Sequence, residues 1–421
     1  MPQTPSTAAT DRYRYVVLFA SFLMLAIGTG SVFALAVALK DIAATFGWPR
    51  TVPSLGYSMQ FLGAGIGGIA MGHWLDRSGM GKPALIGAIM IGSGAIVTSQ
   101  ITAAWQLLMA YGVMMGMLGH ATLFAPMMAN VTRWFTRKRG MAVGVVASGQ
   151  TIAGALWPPV LGYLNQTIGW REMFFWYGLF ALATMLPLAL VFRRKPDSIA
   201  QASRTETGNS ASATESDAGA AARPALPIKP ARLQAVLCVA VIGCCVAMSM
   251  PLAHLFAHAT DLGHAPARAA ELLTVMLAAS TLGRAFGIGL LTERFGGLGA
   301  LFLFSALQAV SLSVFIFTDS LIALYVVAAA FGLGYAGVIP CYAISIREHL
   351  PPAEGGRRTG TVLFFGTSGM AIGSALAGGI FDLTGGYAIA FAIGVAFNVG
   401  NLAIIGTLLY HTRQREQGVI A

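Results

Sequence analysis

Gly72-His73-Trp74-Leu75-Asp76-Arg77-Ser78-Gly79 and, 217 positions later, Gly289-Leu290-Leu291-Thr292-Glu293-Arg294-Phe295-Gly296 follow one pattern: a glycine, an acid-arginine pair, and a closing glycine. At the same offset Gly162, Thr167, Gly169, Trp170 and Phe174 answer to Gly379, Thr384, Gly386, Tyr387 and Phe391. Recurrence at one fixed offset marks two copies of one structural unit. Each copy of the turn closes a long apolar run, so the unit is a set of apolar rods joined by short polar turns.

Working outward from the first turn, apolar runs lie at 16–38, 52–72, 83–102, 105–128, 140–163 and 173–192. Six more lie at 233–257, 267–291, 299–317, 321–345, 360–381 and 388–410. A helix that crosses a bilayer needs about 20 such residues. The sequence therefore predicts an all-α membrane protein of twelve transmembrane helices in two pseudo-symmetric six-helix bundles, residues 1–195 and 231–421. Between them 196–230 is rich in Ala, Ser, Thr and Glu and reads as a flexible cytoplasmic linker.

Composition agrees. Of 421 residues 56% are hydrophobic and 10% charged, where soluble domains carry about 25% charged residues. Mean hydropathy is +0.71. These values exclude a soluble enzyme and a disulfide-stapled secreted module. The net charge of +10 belongs to basic loops rather than to a nucleic-acid partner. Cys238, Cys244, Cys245 and Cys341 sit inside apolar runs without metal spacing, as packing residues. Residues 1–12 lack a basic cluster, so 16–38 reads as a retained span rather than a cleavable leader.

Lysines and arginines fix the expected orientation. With the N-terminus cytoplasmic, the outer loops hold only Lys40, Arg50, Arg171 and Arg268, and the inner segments hold most of the rest. The expectation is a multi-pass protein of the plasma (inner) membrane with both termini cytoplasmic. The turn after the second span has a mechanical reading as well: Asp76 at a helix end can pair with an arginine of the neighbouring bundle and hold the inner side shut. Asp76, Arg77, Arg139, Glu293 and Arg294 form that gating set.

Arg284 is the one Lys or Arg deep within any of the twelve spans. Such a charge faces a cavity or a partner, and a guanidinium fork suits a carboxylate. It reads as the site of an organic anion, with a structural ion pair as the alternative. His254, His258 and Asp261 share one face of the seventh span by their spacing. Asp261, with His254, reads as the proton acceptor, or else Asp261 and His264 merely solvate an outer helix end near Arg268. His258 falls nearer the interface. His120 in the fourth span and Tyr335 in the tenth read either as substrate contacts or as buried packing groups.

Over essentially the whole chain these features resemble the major facilitator superfamily, whose signature loop Gly72…Asp76-Arg77-Ser78-Gly79-Met80-Gly81-Lys82 matches. Trp134-Phe135-Thr136-Arg137-Lys138-Arg139-Gly140-Met141-Ala142-Val143-Gly144, then Ser148-Gly149, is similar to the motif of the monocarboxylate transporter and oxalate–formate antiporter branch. Met141 stands where leucine is usual. The stretch from His254 through Asp261-Leu262-Gly263 to Gly283-Arg284 is similar to that branch too. The resemblance implies alternating access, a small monocarboxylate and a proton as partners, and an Asp261–Arg284 pair in the empty site. Relatives that carry dicarboxylates place a second basic residue on the eleventh span; here Thr361–Met370 has none, which favours a monocarboxylate over oxalate.

No P-loop, HExxH, GxSxG or paired-carboxylate constellation occurs in the spans, so neither enzyme, metal nor cofactor is expected. Gly63-x-Gly65-x-x-Gly68 sits in mid-span and reads as helix packing. The reading is a secondary carrier, most simply a proton-coupled monocarboxylate symporter. Its rivals are an organic-anion exchanger, a membrane acid sensor that moves nothing, and a multidrug exporter.

Overall fold

The computed structural model describes residues 7–135, 139–194, 229–350 and 355–418. All but the last two positions of the 196–230 linker lie outside them. The first half contributes α1 (Thr7–Phe46), α2 (Thr51–Ser78), α3 (Gly81–Ser99), α4 (Ala104–Trp134), α5 (139–168) and α6 (170–191). The second contributes α7 (Pro230–Asp261), α8 (266–295), α9 (297–315), α10 (Leu321–His349), α11 (Gly355–Thr384) and α12 (Ala388–Gly418). Among the described residues nine continuous helical stretches are long and apolar enough to cross a membrane. Met141–Val191 and Pro266–Phe315 each hold two rods folded at a glycine, so these nine make eleven crossings and α2 makes the twelfth.

The duplication is written into the backbone. Among the described residues six glycines have positive φ, and they form three pairs: Gly47 with Gly263, Gly79 with Gly296, and Gly169 with Gly385, the last correcting by one residue the match of Gly169 to Gly386 read from the sequence. Gly79 (φ 76°, ψ 179°) and Gly296 (φ 72°, ψ 178°) close the repeated acid-arginine turn with one conformation, which residues bearing a β-carbon rarely adopt. Proline opens α7 and α8 at Pro230 and Pro266, where the missing N–H costs nothing.

Within each half small residues let the rods approach. A β-carbon on Gly63 of α2 would strike the Gly112 carbonyl of α4, and one on Gly332 of α10 would strike the Met276 carbonyl of α8. Large apolar side chains such as Phe19, Phe286 and Phe317 point outward, as lipid-facing residues do. In lipid, close packing replaces the hydrophobic drive of a water-soluble core.

With twelve crossings both chain ends lie on one face, the terminal face; the other is the distal face. The halves meet along two seams. On the first, Ser58 of α2 donates to the Ala371 carbonyl of α11 (2.5 Å), Ser374 donates to the Ser54 carbonyl (3.3 Å), and Gly65 abuts Thr367. On the second, Gly154, Ala155 and Gly162 of α5 abut Leu277, Thr274 and Ala270 of α8. These contacts occupy the distal half of the bundle. Toward the termini Gly68, Gly72, Gly144, Gly289 and Gly360 on the same four helices have nothing within 4 Å of a β-carbon. The bundle is closed at its distal face and parted toward its terminal face.

Candidate functional site

Arg284 sits 18 residues into α8, about 27 Å from its distal start at 1.5 Å per residue. That is seven residues past Leu277, where α8 still touches α5, so the cation stands where the seam begins to part. Its Nε is buried without a hydrogen-bond partner, and Arg284 joins no ion pair among the described residues. The residue as a whole is partly exposed, which leaves the forked end of the guanidinium accessible. Tyr335 of α10, 5% exposed, is its neighbour. One turn back, Ser280 is fully buried with an unpartnered hydroxyl. One cation and two hydroxyls converge here.

The backbone around Arg284 is widened. Gly283–Gly287 forms a π-helical turn between two α-helical segments, while α2, the counterpart of α8, is α-helical throughout. A π-turn carries one residue more than the α-turn it replaces, and such turns are frequent at functional sites. The spacing confirms an insertion: Gly263 and Gly296 are one residue further apart than Gly47 and Gly79. Packing agrees, because Gly283 approaches Leu333 and Ala336 of α10 as Gly67 approaches Met117 and Ala121 of α4. The counterpart of Gly67 is therefore Gly283, and Gly68 rather than Gly67 answers to Arg284. His120 closes the other π-helical stretch, Ala110–His120 in α4; it is 6% exposed, with Nδ1 unpartnered. It forms no hydrogen bond with Arg284 among the described residues.

Asp261 is placed otherwise than the sequence implied. It ends α7 at the distal face, some 27 Å in depth from Arg284 by the helical rise. Its partners are Arg50, through both guanidinium ends, and Lys40 at 2.8 Å. The expected Asp261–Arg284 pair is thus replaced by a pair between the two halves. Arg50, in the turn between α1 and α2, also donates to the Tyr387 hydroxyl (3.0 Å) and stacks 3.6 Å from the Phe381 ring centre. Burial opposes the charge on Arg50, but its hydrogen bonds to Asp261 and Tyr387 and their charge interactions together outweigh that, so the guanidinium is held above its ordinary pKa. Beside it Asp382 of α11 accepts the N–H groups of Arg50 (2.7 Å) and Thr51 (2.8 Å) and the Thr51 hydroxyl (2.5 Å).

His254 is fully buried between the Tyr387 hydroxyl (Nδ1, 3.2 Å) and the Ser374 carbonyl (Nε2, 3.0 Å). It belongs to this distal cluster, not to the surroundings of Arg284. His258 packs edge-on against Tyr387 and Phe391. Of the terminal-face gating set, Arg77, Glu293 and Arg294 are exposed and join no ion pair among the described residues. The side chains of Asp76 and Arg139 lie outside the described residues. Sequence reasoning missed Ser280, Arg50 and Asp382. The signal for the last two was available: opposite charges at the distal ends of different halves.

The family model described as Major Facilitator Superfamily matches residues 15–257 and 235–420. Monocarboxylate transporter 13 of Rattus norvegicus is 26% identical over 388 residues, covering 88% of this chain and 81% of that protein. Among solved structures, the D323A mutant of the nucleoside transporter NupG superposes with TM-score 0.74 at 10% identity, over 94% of this chain and 99% of the other. A bacterial homologue of the human lysosomal transporter Spinster, inward-facing and unoccupied, superposes with TM-score 0.68 at 16% identity, over 95% and 97%. At such identities the two superpositions speak to the fold.

Proposed function

This chain belongs to the major facilitator superfamily of transporters, and from that membership we propose that it carries a small organic anion, a monocarboxylate, by alternating access with a proton. The observation that carries this reading is Arg284: a guanidinium at membrane depth, its fork accessible, with no protein acid to neutralise it among the described residues. A cation left so is costly unless a counter-ion arrives. A carboxylate meets both forked nitrogens at once, and Tyr335 and Ser280 stand ready for a hydroxyl or keto oxygen beside it. The monocarboxylate transporters among its relatives support the cargo class. With the termini cytoplasmic, as the basic loops favour, the parted face opens to the cytoplasm of a cell whose plasma membrane holds the protein.

Asp261 and His254 take the proton role. Asp261 is held ionised by Arg50 and Lys40 while the distal face is shut; only when that face opens do its cations withdraw and a proton become competitive. The test is uptake of labelled lactate, pyruvate and oxalate into proteoliposomes with and without an inward proton gradient. Gradient-stimulated uptake of a monocarboxylate is the expected result. Stimulation by internal anion alone identifies exchange instead, and no uptake of any of the three overturns the reading.

A further inference from the structure

α2 begins without a cap of its own. Arg50 stands at the capping position and supplies no side-chain hydrogen bond to the first turn, although the leading N–H groups of a helix need acceptors. Asp382 supplies them from the other half, taking the N–H of Arg50 and of Thr51 and the Thr51 hydroxyl. A carboxylate suits this place twice, as an acceptor and as a negative charge at the positive end of a helix. The Arg50 side chain meanwhile reaches Asp261, Tyr387 and Phe381, all of the second half.

We infer that Arg50, Asp261 and Asp382 are the distal gate of the transport cycle: a clasp in which one half caps the helix of the other, closed in the state seen here and broken when the distal face opens. The inference rests on the alternating-access reading and names residues for a step which that reading leaves unassigned. Every bond in the clasp joins the two halves, so none survives their separation on that side. The second seam has no such device. Arg50 answers to Pro266 at the start of α8, which has no N–H to offer, and Asp382 answers to Gln166, an uncharged amide that donates to the Gly162 carbonyl of its own helix (3.1 Å). The α5–α8 seam closes on glycine, alanine and leucine with one hydrogen bond, Thr274 to the Ala155 carbonyl (3.1 Å), and carries no charge pair among the described residues. The charged seam is therefore the latch and the apolar one the pivot.

The test reads accessibility, not transport. In a chain with Cys238, Cys244, Cys245 and Cys341 replaced by alanine, Ser58→Cys places a thiol beneath the clasp; Ser58 is 2% exposed on the α2–α11 seam. A membrane-impermeant thiol reagent is applied to sealed vesicles whose distal face is outermost. Adding Arg50→Gln with Asp382→Asn raises the labelling rate by about tenfold, equivalent to about 1.4 kcal/mol on the opening equilibrium. Arg50→Lys and Asp382→Ser, which keep a charge and a capping oxygen, give intermediate rates and decide the matter should the stronger pair not fold. Equal labelling across folded variants overturns the clasp whatever the cargo proves to be. A parent chain that moves no anion but shows the labelling pattern leaves the clasp standing and removes the cargo.

Discussion

Gly283 of α8 stands against Leu333 of α10 as Gly67 of α2 stands against Met117 of α4. Past those glycines the two copies diverge. Gly68 follows in α2, with open space around it; in α8 the helix widens by one residue and Arg284 follows. The scaffold contacts are thus common to both halves, and the charge sits where the second half departs from the plan.

Arg284→Gln should lower monocarboxylate uptake by about 100-fold, the size of one strong charge-assisted hydrogen-bond pair, with thermal stability unchanged. Arg284→Lys keeps the charge but loses the fork and should recover only part of the activity. Initial-rate uptake in proteoliposomes checks both; near-normal transport by the glutamine variant would remove the anion site.

Tyr335→Phe decides between a substrate contact and a packing role. A hydroxyl that binds cargo contributes about 1 kcal/mol, so KM should rise about fivefold with the maximal rate kept. An unchanged KM assigns the ring to packing alone.

Asp261→Asn should uncouple uptake from the proton gradient while exchange of internal for external anion persists. The measurement is uptake at fixed internal pH over a series of external pH values. A pH dependence like the parent's would remove Asp261 from the proton role.

Gly332→Ala and Gly68→Ala test the packing. A β-carbon at Gly332 collides with the Met276 carbonyl, and overpacking of this kind costs about 1–3 kcal/mol. At Gly68 it meets nothing within 4 Å, so stability should stay within about 0.5 kcal/mol. Thermal unfolding in detergent compares the two; equal losses would contradict the described α8–α10 approach.

The twelve rods were legible because hydropathy and turn glycines are local signals, and the helices extend the apolar runs by only a few polar residues at most ends. Arg284 was legible because a charge in an apolar run has few explanations. The partner of Asp261 was not. Arg50 is 211 positions away in sequence and in the other half, and nothing local distinguishes it from any outer-loop cation. Ser280 was hidden for a different reason: a serine inside a helix is ordinary until its hydroxyl is seen to lack a partner. The widened turn was readable in principle, since the spacing between paired glycines grows by one across it, but a single fixed offset for the whole repeat concealed it.

The extra residue at Gly283–Gly287 makes the two halves electrically unlike at their centre. Two fused copies of the first half would reproduce the barrel-like shell and its hinge, yet their centre would be electrically blank, lined by glycine where the natural chain keeps its counter-charge. The central charge thus belongs to one short segment of one repeat, and exchanging that segment is the direct way to alter it.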